Sequence, residues 1–333
     1  MPKPTIAIID SGLKVSGHYV QSIEGFTLLI DNLEVHLVDK KYDDELMHGT
    51  LCYHTIKEIN PNVKFIICKI VNDSGKSNSL LLAVALEQLL LFDINIINIS
   101  LATDGKNHLE RLKRACDEHI KRGTIIVSSY ANISSNMCLS SYPALFNNVL
   151  GVKGVYLCDD HCSYKVITDN LSVQASGDPQ LFELEEDIDY RFFSGNSKAT
   201  AMVSGILSTY ITDYNTMEFN NLLKEFERRQ SKNAKMYNEM DFIKYIQSLQ
   251  GIIKVDREIL NCVLETTVRI NKFADVSKIE QGCLFSDINI NADSCIKIYM
   301  SACKSLNKHY SFHNLTYNDV STAYRLASYI SQI

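Results

Sequence analysis

The feature that most restricts the fold of this chain is an alternation, over the first 200 residues, of short apolar runs with longer segments of helical spacing. Runs of this kind are typical of strands covered on both faces, as in a parallel sheet. Helix-like segments at 79–92 and 107–122 lie between them, and Gly123 follows the second. The pattern predicts an α/β fold with helices flanking a parallel sheet. The predicted strands are 5–9, 63–69, 94–101, 124–129 and 149–155.

The composition and the apolar spacing of the chain change after about residue 214. Residues 217–250 are rich in Glu, Lys, Asn and Gln, have helical apolar spacing and contain neither Gly nor Pro. Short helix-like segments follow at 256–269, 294–306 and 320–331. We therefore expect a first domain over 1–214, a helical connector over 215–252 and an all-α domain over 253–333.

Composition excludes several classes of protein. The net charge of −6 and the scattered Lys and Arg residues argue against nucleic acid as a partner. The longest apolar run, 80–86, is far too short to cross a bilayer, and the first residues lack the order of a signal peptide. Ten cysteines spread over 333 residues do not indicate a disulfide scaffold. We expect a cytoplasmic protein with reduced thiols and no membrane partner.

Three polar residues stand at the ends of predicted elements, in the order Asp10, His48 and Ser197. A serine hydroxyl is a weak nucleophile until an imidazole accepts its proton, and a carboxylate fixes the tautomer of that imidazole. The order Asp, His, Ser is one of those found among unrelated catalytic triads. His54 is a rival base, but it lacks the Gly-Thr that follows His48.

Residues 5 to about 210 resemble the catalytic domain of subtilisin-like serine proteases. Asp-Ser-Gly at 10–12, His-Gly-Thr at 48–50 and Gly-Asn-Ser-Lys-Ala at 195–199 resemble the three motifs of the family. The resemblance implies a serine endopeptidase with Asp10, His48 and Ser197 as its triad, acting on peptide or protein substrates without a metal.

Two further segments extend this resemblance. Ile-Asn-Ile-Ser-Leu at 97–101 resembles the strand that pairs with extended substrate, which implies main-chain contacts from Ser100, Leu101 and Ala102. The segment 127–132 resembles the one that ends in the oxyanion-hole asparagine, and Tyr-Pro follows at 142–143. This implies that Asn132 stabilises the oxyanion beside the backbone amide of Ser197.

The chain departs from the family pattern at four positions. Asn196 replaces a Thr, Ala201 replaces a Pro, Ala131 replaces the Gly before Asn132, and Ala102 replaces the Gly that floors the first specificity pocket. None of these changes removes a catalytic atom, but Ala102 would narrow the pocket and Ala131 could shift Asn132, so these two changes predict slow or narrow proteolysis. The short first domain also implies folding without a pro-segment.

The last domain carries an Asp-Ser pair, Asp293 and Ser294, just before an amphipathic helix. A helix N-terminus favours a phosphodiester. Residues 255–333 resemble an acyl or peptidyl carrier domain, which implies phosphopantetheine on Ser294, bearing an acyl group as a thioester. Its partners would be a phosphopantetheinyl transferase and carrier-dependent enzymes. Asn291 and Cys295 depart from the carrier motif, and a plain helix cap remains the alternative.

Three other patterns carry less weight. Cys158, His161 and Cys162 offer zinc ligands, but two close thiols without a second pair are a weak indication. Ser-Gly-Lys-Ser at 74–77 lacks the first Gly of a phosphate loop. The acidic run 183–189 could attract a basic peptide toward the site, but we interpret it as a solvated loop, which is the commoner role of such a run.

Together these patterns predict a subtilisin-like peptidase joined to a carrier domain, which trims a precursor peptide or transfers an acyl group in a natural-product or peptide-maturation pathway. Two alternatives stay open. One is a degenerate, non-catalytic protease fold that captures a peptide as a scaffold. The other is an active protease whose helical domain only docks a partner.

Overall fold

The structure is a computed structural model, and it describes residues 3–14, 23–32, 34–104, 107–131, 140–167, 171–184, 189–213, 219–231, 235–312 and 314–333. The chain divides into two compact units. Unit 1 comprises Met1–Asp178 and Ser194–Tyr237, and unit 2 comprises Pro179–Phe193 and Asn238–Ile333. The segment expected to be a connector, 215–252, is therefore divided between the units.

The described strands of unit 1 form one sheet in the order β3-β2-β4-β1-β5-β6-β7-β9-β8. Strand β3 pairs antiparallel with β2, and β8 with β9; the other neighbours pair parallel. The five predicted strands are β1, β4, β5, β6 and β7. The strands are β1 Thr5–Asp10, β2 Glu24–Asp31, β3 Glu34–Asp39, β4 Lys64–Lys69, β5 Ile96–Ile99, β6 Ile125–Ser129, β7 Leu150–Val155, β8 Tyr164–Ile167 and β9 Ser172–Ser176.

Helices cover both faces of this sheet. Because side chains alternate along a strand, Ile97 and Ile99 of β5 join the apolar core with α2 and α3, whereas Asn98 faces α4 and accepts a hydrogen bond from Ser204 at 2.9 Å. The parallel strands bring their carboxyl ends to one edge, which is where α1 and α4 begin. The helices are α1 His48–Ile59, α2 Ser79–Leu89, α3 Leu109–Lys121, α4 Gly195–Asp213 and α5 Phe219–Arg228.

Helix α5 belongs to unit 1 because its apolar face is buried there. The ring of Phe226 is stacked on Tyr164 of β8, with ring centroids 4.2 Å apart. The Tyr164 hydroxyl donates to the Phe226 carbonyl at 2.9 Å and lies 3.1 Å from the hydroxyl of Tyr210 in α4. Burial of these aromatic rings fixes the first half of the expected connector onto the sheet.

The described part of unit 2 is a helical bundle with a two-stranded hairpin. Its core is built around residues such as Phe285, Tyr299 and Leu326, all buried. The predicted helices at 256–269, 294–306 and 320–331 correspond to α7, α9 and α10. The elements are β10 Gln180–Leu184, β11 Asp189–Phe193, α6 Glu239–Ser248, α7 Arg257–Ile270, α8 Val276–Glu280, α9 Ala292–Ser305, α10 Ala323–Gln332 and two 3-10 helices, Phe285–Ile288 and Tyr317–Val320.

The hairpin β10–β11 is a feature that the sequence did not predict. Arg191 of β11 forms an ion pair with Asp293 of α9, at 2.5 Å. The ring of Tyr190 is stacked on Phe312, with centroids 3.6 Å apart. These contacts place part of the acidic run 183–189, interpreted above as a solvated loop, in paired strands of unit 2. None of the helices formed by described residues is long and apolar enough to cross a membrane.

Candidate active site

The loops after β1 and before α1 pack closely together and bring two of the motifs into contact. The side chain of Asp10 is almost completely buried. Its Oδ1 accepts from the backbone amide of Ser11 at 2.7 Å, and the Ser11 hydroxyl accepts from the amide of Gly49 at 2.9 Å. A Cβ atom on Gly49 would overlap the carbonyl oxygen of Gly12, which explains the glycine of the histidine motif. Gly12 has a φ of +120°, and a Cβ atom there would overlap the carbonyl oxygen of Tyr42, which explains the glycine of the aspartate motif.

His48 is the first residue of α1, and its imidazole faces Asp10. Its Nδ1 donates to Oδ1 of Asp10 at 2.7 Å, because a carboxylate only accepts. Burial alone would lower the pKa of His48. The charge and hydrogen bond of Asp10, with the charge of Asp44, outweigh that effect, so the pKa is raised above its ordinary 6.5. The side chain of His48 remains 34% exposed, so it is open to a substrate.

Asp44 fixes the backbone on either side of His48 by hydrogen bonds. This residue is buried, and its Oδ2 accepts from the amide and the hydroxyl of Thr50 at 2.9 and 2.8 Å. Its Oδ1 accepts from the amide of Met47 at 2.9 Å. The carboxylate thus satisfies the free amide of Thr50 in the first turn of α1 and that of Met47 just before the helix, a role similar to that of a helix cap. Sequence reasoning missed this residue, although an Asp just before a helix is a usual signal for a cap.

Ser197 lies in the first turn of α4 and lines the same cleft as Asp10 and His48. This cleft has a volume of about 410 Å³ and is open to solvent. The Ser197 hydroxyl donates to the carbonyl of Ser100 at 3.3 Å, and the Ser100 hydroxyl donates to the carbonyl of Ser197 at 3.2 Å. The structure therefore brings all three predicted triad residues together at one edge of the sheet.

The predicted substrate-binding segment also lines the cleft. Ser100, Leu101 and Ala102 follow β5 directly and form part of its wall. The Ser100 hydroxyl accepts from the Asn98 side chain at 3.1 Å, which ties the segment to β5. The segment after Ala102 is held by a backbone pairing between Thr103 and Tyr142.

Asn132, the predicted oxyanion-hole residue, lies outside the described residues. The chain that leads to it is held by Asn196, beside the serine. The side-chain Nδ2 of Asn196 donates to the carbonyls of Tyr130 and Ala131, at 2.9 and 3.2 Å, and its Oδ1 accepts from the backbone amide of Gly154 at 2.7 Å. The replacement of the family Thr by Asn196 thus has a structural role that the sequence did not reveal.

Lys198, the residue after the predicted nucleophile, is completely buried. Its ammonium group lies 3.4 Å from the hydroxyl of Ser176. Burial lowers the pKa of Lys198, and the nearby charge of Asp178 opposes the shift only in part. A fully buried lysine is rare and costly unless it is paired. It turns away from the cleft lined by Ser197, so we assign it no part in the chemistry.

Cys52 lies on the same face of α1 as His48, one turn later. Its buried thiol is 3.7 Å from Oδ2 of Asp10. Burial, together with the charge of Asp10, raises the pKa of Cys52 well above its ordinary value, so the group is a neutral thiol. Sequence reasoning missed Cys52, although its spacing of four residues from His48 would have indicated the shared helix face.

Asp10, His48 and Cys52 are the one group of metal-type ligands that the described part of the chain brings together. Two of them belong to the predicted triad, and the thiol would first have to lose its proton, so we assign no metal to them. The ligand atoms of the weak zinc candidate at 158–162 do not form such a group among the described residues. The nine described cysteines are free thiols.

Ser294, the predicted attachment residue, lies in unit 2 in the first turn of α9. Its backbone amide donates to the side chain of Asn291, the N-cap, at 2.8 Å. The neighbouring carboxylate of Asp293 is bound by Arg191. Ser294 itself is half-buried, and it is in a different unit from the cleft that holds Ser197.

Comparison with known proteins agrees with this geometry. Among solved structures, the chain is similar to the S41 psychrophilic protease (TM-score 0.54, 18% identity), Sphericase (0.53, 18%) and a cold-adapted subtilisin-like serine proteinase (0.54, 20%). Each similarity covers 69% of this chain, and 83%, 85% and 82% of the other chain. At these identities the similarity shows the fold, a mostly parallel sheet flanked by helices as in subtilisins.

The search of curated proteins gave no significant match. The decisive finding is at the level of the family. Residues 2–241, well over half of the chain, match the subtilase family. The chain is therefore a member of the subtilase family, the subtilisin-like serine endopeptidases.

Proposed function

We propose that Ser197 is the nucleophile of this peptidase, with His48 as general base and then general acid, and Asp10 as the residue that orients His48. The observation that carries the proposal is the 2.7 Å contact from His48 to Asp10 in a cleft that Ser197 also lines. His48 Nε2 would take the Ser197 proton as Oγ attacks the scissile carbonyl carbon. The same proton would then pass to the leaving amine, and water would release the acyl group by the reverse steps.

The substrate would bind as an extended strand along Ser100, Leu101 and Ala102. Main-chain hydrogen bonds supply affinity in this mode, and side-chain pockets supply selectivity. The carbonyl of Ser100 accepts from the Ser197 hydroxyl at 3.3 Å. A substrate amide that bonds to this carbonyl would free the hydroxyl to turn toward His48. Substrate binding would then prepare the nucleophile.

The oxyanion would be stabilised by the backbone amide of Ser197 and the side chain of Asn132. Ser197 stands at the N-terminal end of α4, where backbone amides lack helical acceptors and the helix dipole favours negative charge. One side-chain donor of this kind contributes about 3 to 4 kcal/mol to transition-state stabilisation. Asn196 would position the chain that carries Asn132.

The finer function that we propose is the trimming of a precursor peptide, or transfer of its acyl group to an amine, in a peptide-maturation or natural-product pathway. Ala102 supports a narrow specificity because its methyl group would reduce the volume of the first specificity pocket. An acyl-enzyme can be resolved by water or by another nucleophile. The free cysteines favour a reducing compartment, so we propose the cytoplasm as the location.

A fluorogenic peptide library tests the peptidase function. The full chain should cleave a small subset of the library, and the Ser197→Ala variant should cleave none. Added hydroxylamine would divert the acyl-enzyme, and the ratio of hydroxamate to acid would separate acyl transfer from hydrolysis. Binding of peptides without cleavage by the wild-type chain would favour the non-catalytic scaffold instead.

A second candidate function concerns unit 2: we propose that Ser294 carries phosphopantetheine. The supporting observation is its place at the N-terminal end of α9, whose amides and dipole suit a phosphodiester. The group would supply a flexible thiol for an acyl cargo. Asp293 is held by Arg191, so a phosphopantetheinyl transferase would have to recognise α9 with that ion pair in place.

Intact mass after incubation with coenzyme A and a broad-specificity phosphopantetheinyl transferase tests this candidate. A gain of one phosphopantetheine that is absent from Ser294→Ala would support it. Ser286→Ala, at another serine of unit 2, is the matched control and should still gain the group. No gain in the folded wild-type chain would leave unit 2 as a module that docks a partner of the peptidase.

A further inference from the structure

A groove of about 670 Å³ lies along the second half of α9 in unit 2. No part of the proposed functions uses it. Its lining is cationic and apolar, and it contains no acidic residue. The lining residues that matter here are Lys297, Met300, Lys304, Lys308, His309 and Tyr310.

The lysines lie close together because of the helix period. Lys297, Ser301 and Lys304 are spaced by four and three residues, so they share one face of α9. The guanidinium of Arg269 donates to the hydroxyl of Ser301 at 2.6 Å and adds a further cation beside this face. In a chain with a net charge of −6, this is a concentrated patch of positive charge.

The charge of the groove is not neutralised from within the described part of the chain. No described carboxylate forms an ion pair with Lys297, Lys304 or Lys308. Asp293 precedes Lys297 by four residues, the spacing of a helical ion pair, but it is bound to Arg191 instead. The three ammonium groups are therefore available to an external anion.

A second cavity, in unit 1, differs from this groove in the charge of its lining. A cavity of about 770 Å³ at the amino ends of the strands in unit 1 is lined by Lys3, Lys57 and Lys64, but also by Glu24 and Asp93. A lining that carries both positive and negative side chains selects neither an anionic nor a cationic ligand. The groove on α9 has a single sign of charge, so its electrostatics select a negative ligand.

We infer that the groove on α9 binds an acidic peptide segment in which carboxylates flank an apolar side chain. The lysines would contact the carboxylates, and Met300 and Tyr310 would receive the apolar group, since methionine adapts to many shapes and tyrosine is common in interfaces. A small anion would leave these apolar surfaces uncovered. An open groove also suits a chain segment better than a compact ligand.

This site would act as an exosite, a second contact that selects substrates away from the scissile bond. That consequence rests on the proposed peptidase function, whereas the binding itself does not. A contact on a tethered segment raises the local concentration of the rest of the same peptide. Peptides with an acidic recognition segment would therefore be preferred over peptides that share only the cleavage sequence.

Fluorescence anisotropy with the full-length Ser197→Ala chain tests the inference, because no cleavage can then disturb the binding. The probes are a labelled peptide of alternating Glu and Leu and its Gln and Leu counterpart. We expect the Glu peptide to bind at least about tenfold more tightly at low salt, and the difference to shrink near 1 M salt, where charges are screened within about 3 Å.

Variants assign the binding to the groove. Replacement of Lys297, Lys304 and Lys308 by Gln should weaken binding of the Glu peptide by about tenfold or more, as three charge contacts are lost. The matched control replaces Lys244, Lys254 and Lys272, exposed lysines of unit 2 outside the groove, by Gln and should bind as the parent does. Met300→Gln should weaken binding without changing the charge.

Three outcomes would overturn the inference. Equal binding of the Glu and Gln peptides would remove the charge argument, and full binding by the groove variant would place the site elsewhere. Lysine-dependent binding of inorganic phosphate or of anionic phosphatidylserine vesicles, with none of the Glu peptide, would show a different ligand class. Because Ser197→Ala is used throughout, each failure is independent of peptidase activity.

Discussion

The Nδ1 atom of His48 lies 2.7 Å from Oδ1 of Asp10, and the two residues differ sharply in their exposure to solvent. The Asp10 side chain is 1% exposed, whereas that of His48 is 34% exposed. A buried carboxylate therefore holds one side of an imidazole whose other side is open to the cleft. This arrangement fixes the tautomer in which Nδ1 carries the proton and Nε2 is the ring atom that accepts one.

The first prediction tests this relationship directly. Asp10→Asn keeps the shape of the side chain but removes its charge, so it no longer imposes the reactive tautomer of His48. We expect kcat to fall by about 10⁴-fold with a small change in KM. Asp73→Asn, which removes an exposed carboxylate paired with Lys69, is the control and should leave kcat unchanged. A loss of less than tenfold in Asp10→Asn would contradict the role of Asp10.

The pH dependence of kcat/KM follows from the pKa of His48. The general base must be neutral, and the charge of Asp10 raises the pKa of His48 above 6.5 despite the opposing effect of burial. Activity should therefore rise with pH through an apparent pKa above 6.5 and be lost as His48 is protonated below it. A pH titration of kcat/KM checks this. An acidic limb centred well below 6.5 would show that another group is the base.

Asn196 provides a test of how the serine segment is positioned. Its buried side chain bonds to Gly154, Tyr130 and Ala131. Asn196→Ala should lower the free energy of unfolding by about 2 to 3 kcal/mol, because buried polar partners are left unsatisfied. It should also lower kcat, since the chain leading to Asn132 is released.

Asn196→Asp is the matched variant, because it keeps the acceptor for Gly154 and replaces the two donated bonds by repulsion between oxygens. Urea unfolding and kcat measured on both variants separate stability from positioning. If kcat of the folded Asn196→Ala variant equalled that of the wild type, the positioning role of Asn196 would be refuted.

Because Lys198 is buried, we expect the free energy of unfolding to depend on pH in an unusual way. Its pKa is lowered in the folded chain by burial, so between that value and its ordinary 10.5 the unfolded chain binds the extra proton. Stability then rises with pH over this window. Lys198→Met should abolish the rise and increase the free energy of unfolding near neutral pH by about 1 to 3 kcal/mol. The exposed Lys165→Met should do neither, and a destabilised Lys198→Met would contradict the account.

The parts of the fold that were predicted correctly depend on local sequence. The runs that became β1, β4, β5, β6 and β7 are mostly apolar because these strands are largely buried in the sheet. The ends of such strands carry Asp10 and Ser100, so the active-site edge followed from the same pattern. His48 and Ser197 followed from motifs of three to five residues.

The unpredicted parts depend on contacts that are distant in the sequence. The outer strands β2, β3 and β8 were missed because their exposed positions interrupt the apolar run. Strand β9 is largely buried, but it was missed because its sequence, Ser-Val-Gln-Ala-Ser, contains only two apolar residues. The hairpin β10–β11 was missed because its partner residues, such as Asp293 for Arg191, lie 102 positions away. The expected connector, 215–252, is divided between the two units because Phe226 packs on Tyr164 in unit 1. No local sequence pattern reveals this contact.

The measurement that tests the central claim most directly is the intact mass of the folded chain after reaction with a fluorophosphonate, compared with Ser197→Ala. Only an activated serine reacts rapidly with this reagent. We predict one adduct on Ser197, formed more slowly below the pKa of His48 and absent from the variant. A folded wild-type chain that gains no adduct, or a Ser197→Ala chain that gains the same one, would contradict the assignment of Ser197 as the catalytic nucleophile.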